Sequence, residues 1–311
     1  MDQYNGLMPV RKAIGATSHD VVNSIRRILG AAKAGHTGTL DPSASGLLVM
    51  TLGRATKLTQ FLTDWDKSYR AEIVLGAVSN TLDAAGNIRA GGTVPVMTEK
   101  EFKTFLEKHF TGRVTQKVPA YSAVKVGGRE LYKYARKGVE IDSPSREIEI
   151  KSLSMVFYDP PRFTVVIRCS KGTYIRTLAD DIGRELTCGA YLNALERLSV
   201  GPFTSDSALT LDEIAVEHER GALEKHIVPI ERALDFPVIR VRNHLRETVR
   251  HGGFPEAEDI IEWTGDFVPG QLISMADESG DIMAIGKSKC NAASLKEAKM
   301  GDFFAYVRVL I

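Results

Sequence analysis

The chain has 311 residues, 43% of them hydrophobic, enough to bury a sizeable core and to divide into one large and one small domain. A formal net charge of +1 does not by itself announce a nucleic-acid binder, and three widely spaced cysteines without a C-x-x-C pair suggest neither a disulfide framework nor a zinc site. The start of the chain lacks a basic segment followed by an apolar core, and no uncharged apolar stretch reaches about 18 residues, so a reducing, cytoplasmic setting without membrane association is expected.

Lys12 precedes a helix-start signal, Thr17 with Asp20 three residues on, and Val21, Ile25, Ile28 and Leu29 then recur at helical spacing, leaving Arg26 and Arg27 outward. Residues 34–50, AGHTGTLDPSASGLLVM, gather Gly35, Gly38, Gly46, His36, Asp41 and Pro42 before the apolar run Leu47 to Met50. This reads as a functional loop feeding a buried strand. Gly35 and Gly38 are expected to permit unusual backbone conformations and close approach, while Pro42 fixes the chain after Asp41. An Asp-Pro pair between glycines also reads as a plain turn. No GxxxxGK[ST], G-x-S-x-G or GxGxxG pattern is present, so the loop is not a known phosphate cradle or serine elbow.

A short helix through Leu58, Phe61 and Leu62 leads to a strand over 68–75 whose Tyr69, Ala71, Ile73 and Leu75 alternate onto one face, which by pattern alone makes Tyr69 a core residue. Residues 86–94 read as loop, and Thr98 with Glu101 caps an amphipathic helix carrying Phe102, Phe105, Leu106 and Phe110. Between residues 113 and 137, seven basic residues meet one acid, Glu130, and interleave with Tyr121, Tyr132 and Tyr134. Stacking groups beside phosphate-neutralising groups predict RNA contact, with a solvated surface helix as the plainer reading. Strands follow at 147–153 and 163–169, then Arg176 at the entry to a helix through Leu178, Ile182 and Leu186 that ends at Cys188-Gly189-Ala190. Thr210 with Glu213 opens another helix, and a linker near 233–236 precedes short alternating segments. Among these, Leu272, Ser274 and Ala276 and then Ile282, Ala284 and Gly286 flank turn residues 277–280 as a β-hairpin.

Three separated runs carry a resemblance: GHTGTLDPSASGLL (35–48), PAYSAVK with GRELYKYARKG (119–138), and CSKGTYIR (169–176). Together they resemble the TruB family of tRNA pseudouridine synthases. The resemblance implies an α+β fold, with a mixed, mainly antiparallel central sheet and flanking helices in a catalytic domain over 1–235. An RNA-clamping insertion is implied at about 119–145, and a small PUA-like β-barrel RNA-binding domain over 236–311. It further implies Asp41 as the catalytic residue, Arg176 as its ionic partner holding it charged, and Tyr69, Tyr174 and Leu195 as the uracil pocket. His36 is implied to fill the space left by an extruded base. Tyr121, Lys125, Arg129, Arg136 and Arg197 are implied as supporting or RNA-contacting residues, and Lys12 as a support of the loop. Two departures stand out: Ala13 replaces the family's proline after Lys12, and Asn80 replaces an aspartate in L-G-A-V-S-N-T-L-D-A-A-G, so Asn80 receives no role.

The implied reaction isomerises uridine to pseudouridine at position 55 in the T loop of tRNA. It requires no cofactor, metal or guide RNA, and the expected protein is a monomer gripping the T arm. Attack by Asp41 on C6 or C1′, and a base role toward a glycal-type intermediate, fit the sequence equally. Two other classes compete. One is a non-enzymatic tRNA-binding or folding factor; the other is a zinc deaminase, prompted by His218-Glu219 as a fragment of an H-x-E signature that no P-C-x-x-C follows.

Overall fold

The computed structural model describes residues 4–297, 301 and 303–311. β1 (Gly6–Lys12) runs into α1 (Ser18–Leu29), where Thr17 and Asp20 form the reciprocal cap that satisfies two orphan amides. Val21, Ile25 and Leu29 are buried, Ile28 is half-buried, and Arg26 and Arg27 face solvent. β2 (Ala34–His36) and β3 (Ser45–Leu52) flank residues 37–44. β2 corrects the reading of 34–36 as loop, because Gly35 and His36 are laddered against Thr51 and Met50. Three residues carry too little alternation to be legible as a strand. Nor do Gly35 and Gly38 use the left-handed region; that conformation falls at Gly46, φ +103°, where an added Cβ would lie 2.4 Å from the Arg197 carbonyl oxygen.

α2 (Thr59–Leu62) leads to β4 (Lys67–Leu75), in which Tyr69, Ala71, Ile73 and Leu75 are all buried. β5 (Ala77–Ser79) pairs with β6 (Ile88–Ala90), a short strand inside the segment expected to be loop. α3 (Glu99–Phe110) carries the Thr98–Glu101 cap and buries Phe102, Leu106 and Phe110. β7 (Gly112–Lys117) precedes the projecting segment with β8 (Lys125–Val126), β9 (Arg129–Glu130) and α4 (Leu131–Ala135). Then come β10 (Ser145–Asp159), β11 (Arg162–Cys169), α5 (Ile175–Glu185), β12 (Ala190–Val200), β13 (Phe203–Thr204), α6 (Leu211–Glu219) and α7 (Ile230–Ala233).

Among the described residues nine of these strands form one sheet along β1-β3-β12-β4-β11-β10-β7, with β2 beside β3 and β13 beside β12, while β5-β6 and β8-β9 are separate two-stranded pairs. All its pairings are antiparallel except β12 with β3, where Arg197 stands opposite Gly46. The sheet is thus mixed and mainly antiparallel, as expected. Central β12 escaped the sequence reading because bulges between Leu192 and Ala194 and between Arg197 and Ser199 break its period-two pattern. α3 and α5 pack apolar faces onto one core, containing Phe102, Phe163 and Ile182, while α1 and α6 contribute to another with Val10, Leu48 and Ile214.

The C-terminal part comprises β14 (Val238–Val241), α8 (Arg246–Arg250), β15 (Ile260–Thr264), β16 (Leu272–Ala276), β17 (Ile282–Ser288) and β18 (Phe304–Val309). Its strands are bonded in the order β15-β14-β16-β17-β18, and β16 and β17 form the expected hairpin. A barrel was the expectation; among the described residues no ladder joins β15 to β18. Besides cores of their own, the two sheets share an apolar cluster. Leu7, Leu47 and Val49 cluster with Ile282, Ile285 and Leu310, and Arg54 grips Asp281 through two hydrogen bonds of 2.7 and 3.2 Å. No helix among the described residues is long and apolar enough to cross a membrane.

Candidate active site

Residues 37–44 are held at both ends by groups from elsewhere in the chain. Ser18 at the start of α1 accepts the Leu40 amide at 2.8 Å, and the Gly15 amide donates to the Pro42 carbonyl. From below, the buried guanidinium of Arg197 donates to the carbonyls of Leu47 (2.7 Å), Gly38 (3.0 Å) and Thr39 (3.3 Å). Five rigid donors on one side chain suit such a fork of carbonyls. Lys12 acts more indirectly than expected. Its buried ammonium caps the Ala13 and Ala16 carbonyls at 2.9 and 2.7 Å, fixing the turn that carries Gly15.

Asp41 therefore projects from a braced loop into a cavity of about 1410 Å³. Arg176, from the first turn of α5, places its Nε 2.8 Å from Asp41 Oδ2, with the Arg176 side chain 5% exposed and that of Asp41 36% exposed. The N–H is not aligned for a hydrogen bond, so the contact is a close ion pair. The Arg176 Nη atoms donate to the carbonyls of Tyr121 (3.1 Å) and Thr81 (3.3 Å), locking its orientation. Burial pushes the Asp41 carboxyl above the ordinary carboxylate range, Arg176 opposes this, and Asp83 adds to the rise. Arg176, the ionic partner implied from sequence, thus favours the charged form, against a larger opposing effect of burial.

Tyr69, Tyr174 and Leu195 line the same cavity. Burial raises the Tyr69 phenol above its usual range, so it remains a hydroxyl donor at neutral pH. Tyr174 is fixed through its main chain: its N–H donates to Gln116 Oε1 at 2.7 Å and its carbonyl accepts from Gln116 Nε2 at 3.0 Å. Tyr121 and Arg136 reach the cavity, whereas Lys125 and Arg129 stand exposed on the projecting segment outside it. Arg136 lies 5.3 Å over the Tyr132 ring and Arg129 5.5 Å over that of Tyr134, the interleaving of cation and aromatic foreseen from sequence. His36 also stands outside the lining. Its Nδ1 accepts the Gly38 amide at 3.2 Å, and burial lowers its pKa. Asn80 accepts the Asn87 amide at 2.7 Å and closes a turn.

Three participants were not singled out from sequence. Asp83, 6% exposed, accepts from Thr81 Oγ1 (2.6 Å), the Ala85 amide (3.1 Å) and Ser43 Oγ (3.2 Å), tying the 81–85 turn to the residues after Asp41. Its place in T-L-D-A-A-G was the available signal. Lys67 lines the cavity with its ammonium bonded to the Thr63 and Trp65 carbonyls at 2.6 Å each, and burial brings its pKa down to about 8. Gln116 carried no signal. Its role depends on sheet packing beside a residue 58 positions away. His218, the seed of the deaminase alternative, shares a 2.9 Å hydrogen bond with the Tyr4 hydroxyl instead of facing this cavity.

Residues 26–175 match the family described as "TruB family pseudouridylate synthase (N terminal domain)", and residues 176–235 match "tRNA pseudouridylate synthase B C-terminal domain". The chain is 42% identical over 290 residues to tRNA pseudouridine synthase B of Bacillus pumilus, spanning 90% of this chain and 92% of that protein. It is 40% identical over 291 residues to the protein of that name from Bacillus subtilis, spanning 90% and 92%. Among solved structures, one titled "Crystal Structure of a Cbf5-Nop10-Gar1 Complex" superposes with a TM-score of 0.77 at 25% identity, covering 98% of this chain and 85% of that one.

Proposed function

The chain belongs to the TruB family and is a tRNA pseudouridine synthase, and from that premise we propose that Asp41 performs the isomerisation on the uridine at position 55 of the T loop. The observation that carries the assignment is the Asp41 carboxylate, paired at 2.8 Å with Arg176 and still partly open to solvent, on a cavity wall shared with Tyr69, Tyr174 and Leu195. Aromatic and apolar walls suit a planar base, and chemistry on a base stacked in an RNA loop requires it to leave the stack. The uridine must therefore flip in, at a cost of a few kcal/mol.

The reaction breaks the N1–C1′ bond, turns the uracil and joins C5 to C1′. The proton on C5 is lost and N1 gains one, so no electrons change hands. Attack at C1′ or C6, or proton removal toward a glycal, each require Asp41 as carboxylate. Arg176 orients that carboxylate and favours its charged form, while Tyr69 supplies a hydroxyl donor to the base. His36, one residue outside the lining, is proposed to enter the stack position the uridine leaves.

We further propose that residues 119–145 grip the T arm with Lys125, Arg129 and Arg136. Residues 236–311 are read as a PUA-like RNA-binding module on a monomer that works in the cytoplasm without guide RNA. Relatives of about 40% identity that bear the name tRNA pseudouridine synthase B support this reading over a guide-directed one. The test is tritium release from tRNA labelled at uridine C5, with no cofactor added. Release from wild-type tRNA but not from a U55C transcript is the expected result, and equal release from both would refute the position.

A further inference from the structure

We propose that Arg146 is a phosphate-binding residue of this cleft, contacting the RNA backbone beside the target uridine. Arg146 lies on β10 opposite Gln116 of β7, lines the same cavity as Asp41, and holds its guanidinium 5.3 Å over the Tyr174 ring. Gly172 makes room for it. At φ +77° that residue leaves open a space in which a Cβ would lie 2.9 Å from Arg146 Nη1. The neighbouring cations are neutralised within the protein: Lys171 pairs with Asp64 at 2.7 Å, and Lys151 and Arg168 pair with Asp66 at 2.8 and 3.2 Å. Arg146 is not. Among the described residues its one hydrogen bond is a long 3.5 Å contact to the Gly172 carbonyl, and no carboxylate pairs with it.

A guanidinium fixed by stacking, with its N–H edges unspent at the wall of an RNA-binding cleft, fits the bidentate geometry of a phosphate diester. Stacking alone would not need the charge, since a long apolar side chain covers an aromatic face as well. The Tyr174 main chain is meanwhile held independently through Gln116, so the placement of that residue does not depend on the Arg146 charge.

This inference rests on the reading that the cleft takes a tRNA uridine, and the experiment keeps the two apart. Arg146→Met retains an unbranched cover for Tyr174 without charge, and Arg146→Lys retains charge without the fork. Binding of unmodified tRNA to the full chain is measured across a salt series, beside the melting temperature of each protein alone. Arg146→Met should bind about tenfold more weakly, and its log Kd against log salt slope should fall by about 0.7–0.9. Lys should restore the slope but not the full affinity. T-arm stem-loops with single neutral methylphosphonate linkages should then weaken wild type at one linkage next to the target, and leave Arg146→Met indifferent there. An unchanged slope in a folded Arg146→Met protein overturns the proposal. If that variant does not fold, wild type that tolerates every neutral linkage within two nucleotides of the target overturns it. Wild type that makes pseudouridine while failing these tests sinks the role of Arg146 alone; wild type that makes none sinks the underlying reading.

Discussion

Arg176 Nε lies 2.8 Å from Asp41 Oδ2, yet the Asp41 carboxyl sits above the ordinary carboxylate range because burial outweighs that contact. Activity that needs the carboxylate should fall as pH drops through the raised pKa, so the acid limb of the single-turnover rate lies above the value near 3.9 of a free aspartate. Arg176→Met removes the opposing charge and should move that limb to still higher pH. Superimposable limbs for the two proteins would separate Arg176 from the ionisation of Asp41.

The same shift has a stability consequence with a definite sign. A carboxyl whose folded pKa is raised favours the folded state below its unfolded pKa, and that contribution is lost as pH rises through the folded value. At neutral pH the charge of Asp41 therefore adds nothing to stability through its ionisation. Asp41→Asn should melt no lower than wild type at pH 7 and keep its tRNA affinity while losing turnover. A clear drop in melting temperature would assign Asp41 a structural duty instead.

Arg197 spends its donors on the Gly38 and Thr39 carbonyls of the segment that presents Asp41 and on the Leu47 carbonyl of β3 that follows it. Arg197→Met leaves those carbonyls without partners, at about 1–3 kcal/mol each where they stay dry. We expect a loss of several kcal/mol in chemical denaturation and a fall in single-turnover rate larger than the fall in tRNA affinity. A stable, fully active variant would show that the segment braces itself.

His36→Ala separates base displacement from loop capping. Displacement predicts a greater rate loss on a structured T-arm stem-loop than on a loop whose stacking has been disrupted. The bond between Gly38 N–H and His36 Nδ1 offers the competing outcome: equal losses on both RNAs and a lowered melting temperature. We expect the former.

Because Ile282, Ile285 and Leu310 close a core with Leu7 and Leu47, truncation after residue 235 should impair folding and not merely RNA binding. Each such side chain contributes about 1.5–3 kcal/mol when fully buried. A double-mutant cycle on Arg54 and Asp281, read by denaturation, should give a coupling of about 1 kcal/mol, as expected for a partly exposed pair. A truncated protein as stable as the full chain would mean the shared cluster is dispensable.

Much of this site was legible because its key residues sit in short, chemically distinctive runs: Asp41 before Pro42 among glycines, Tyr174 and Arg176 two residues apart after a strand end. Tyr69 illustrates the limit. Its alternation gave a core residue and the resemblance gave a pocket residue, and at 8% exposure on the cavity wall it is both. Gln116, Lys67 and Arg146 acquire meaning only when β7, β4 and β10 are brought beside α5 and its preceding turn, a fact of sheet order that no local pattern encodes. The near-neutral total charge likewise concealed how the cations divide between those paired with carboxylates and those left facing the cleft.

The most direct measurement is mapping of pseudouridine in unmodified tRNA after incubation with purified wild type or Asp41→Asn, without cofactor. The account predicts pseudouridine at position 55 of the T loop with wild type and none above background with Asp41→Asn, which still binds the tRNA. Full conversion by Asp41→Asn, or wild-type product elsewhere with uridine 55 untouched, would contradict it.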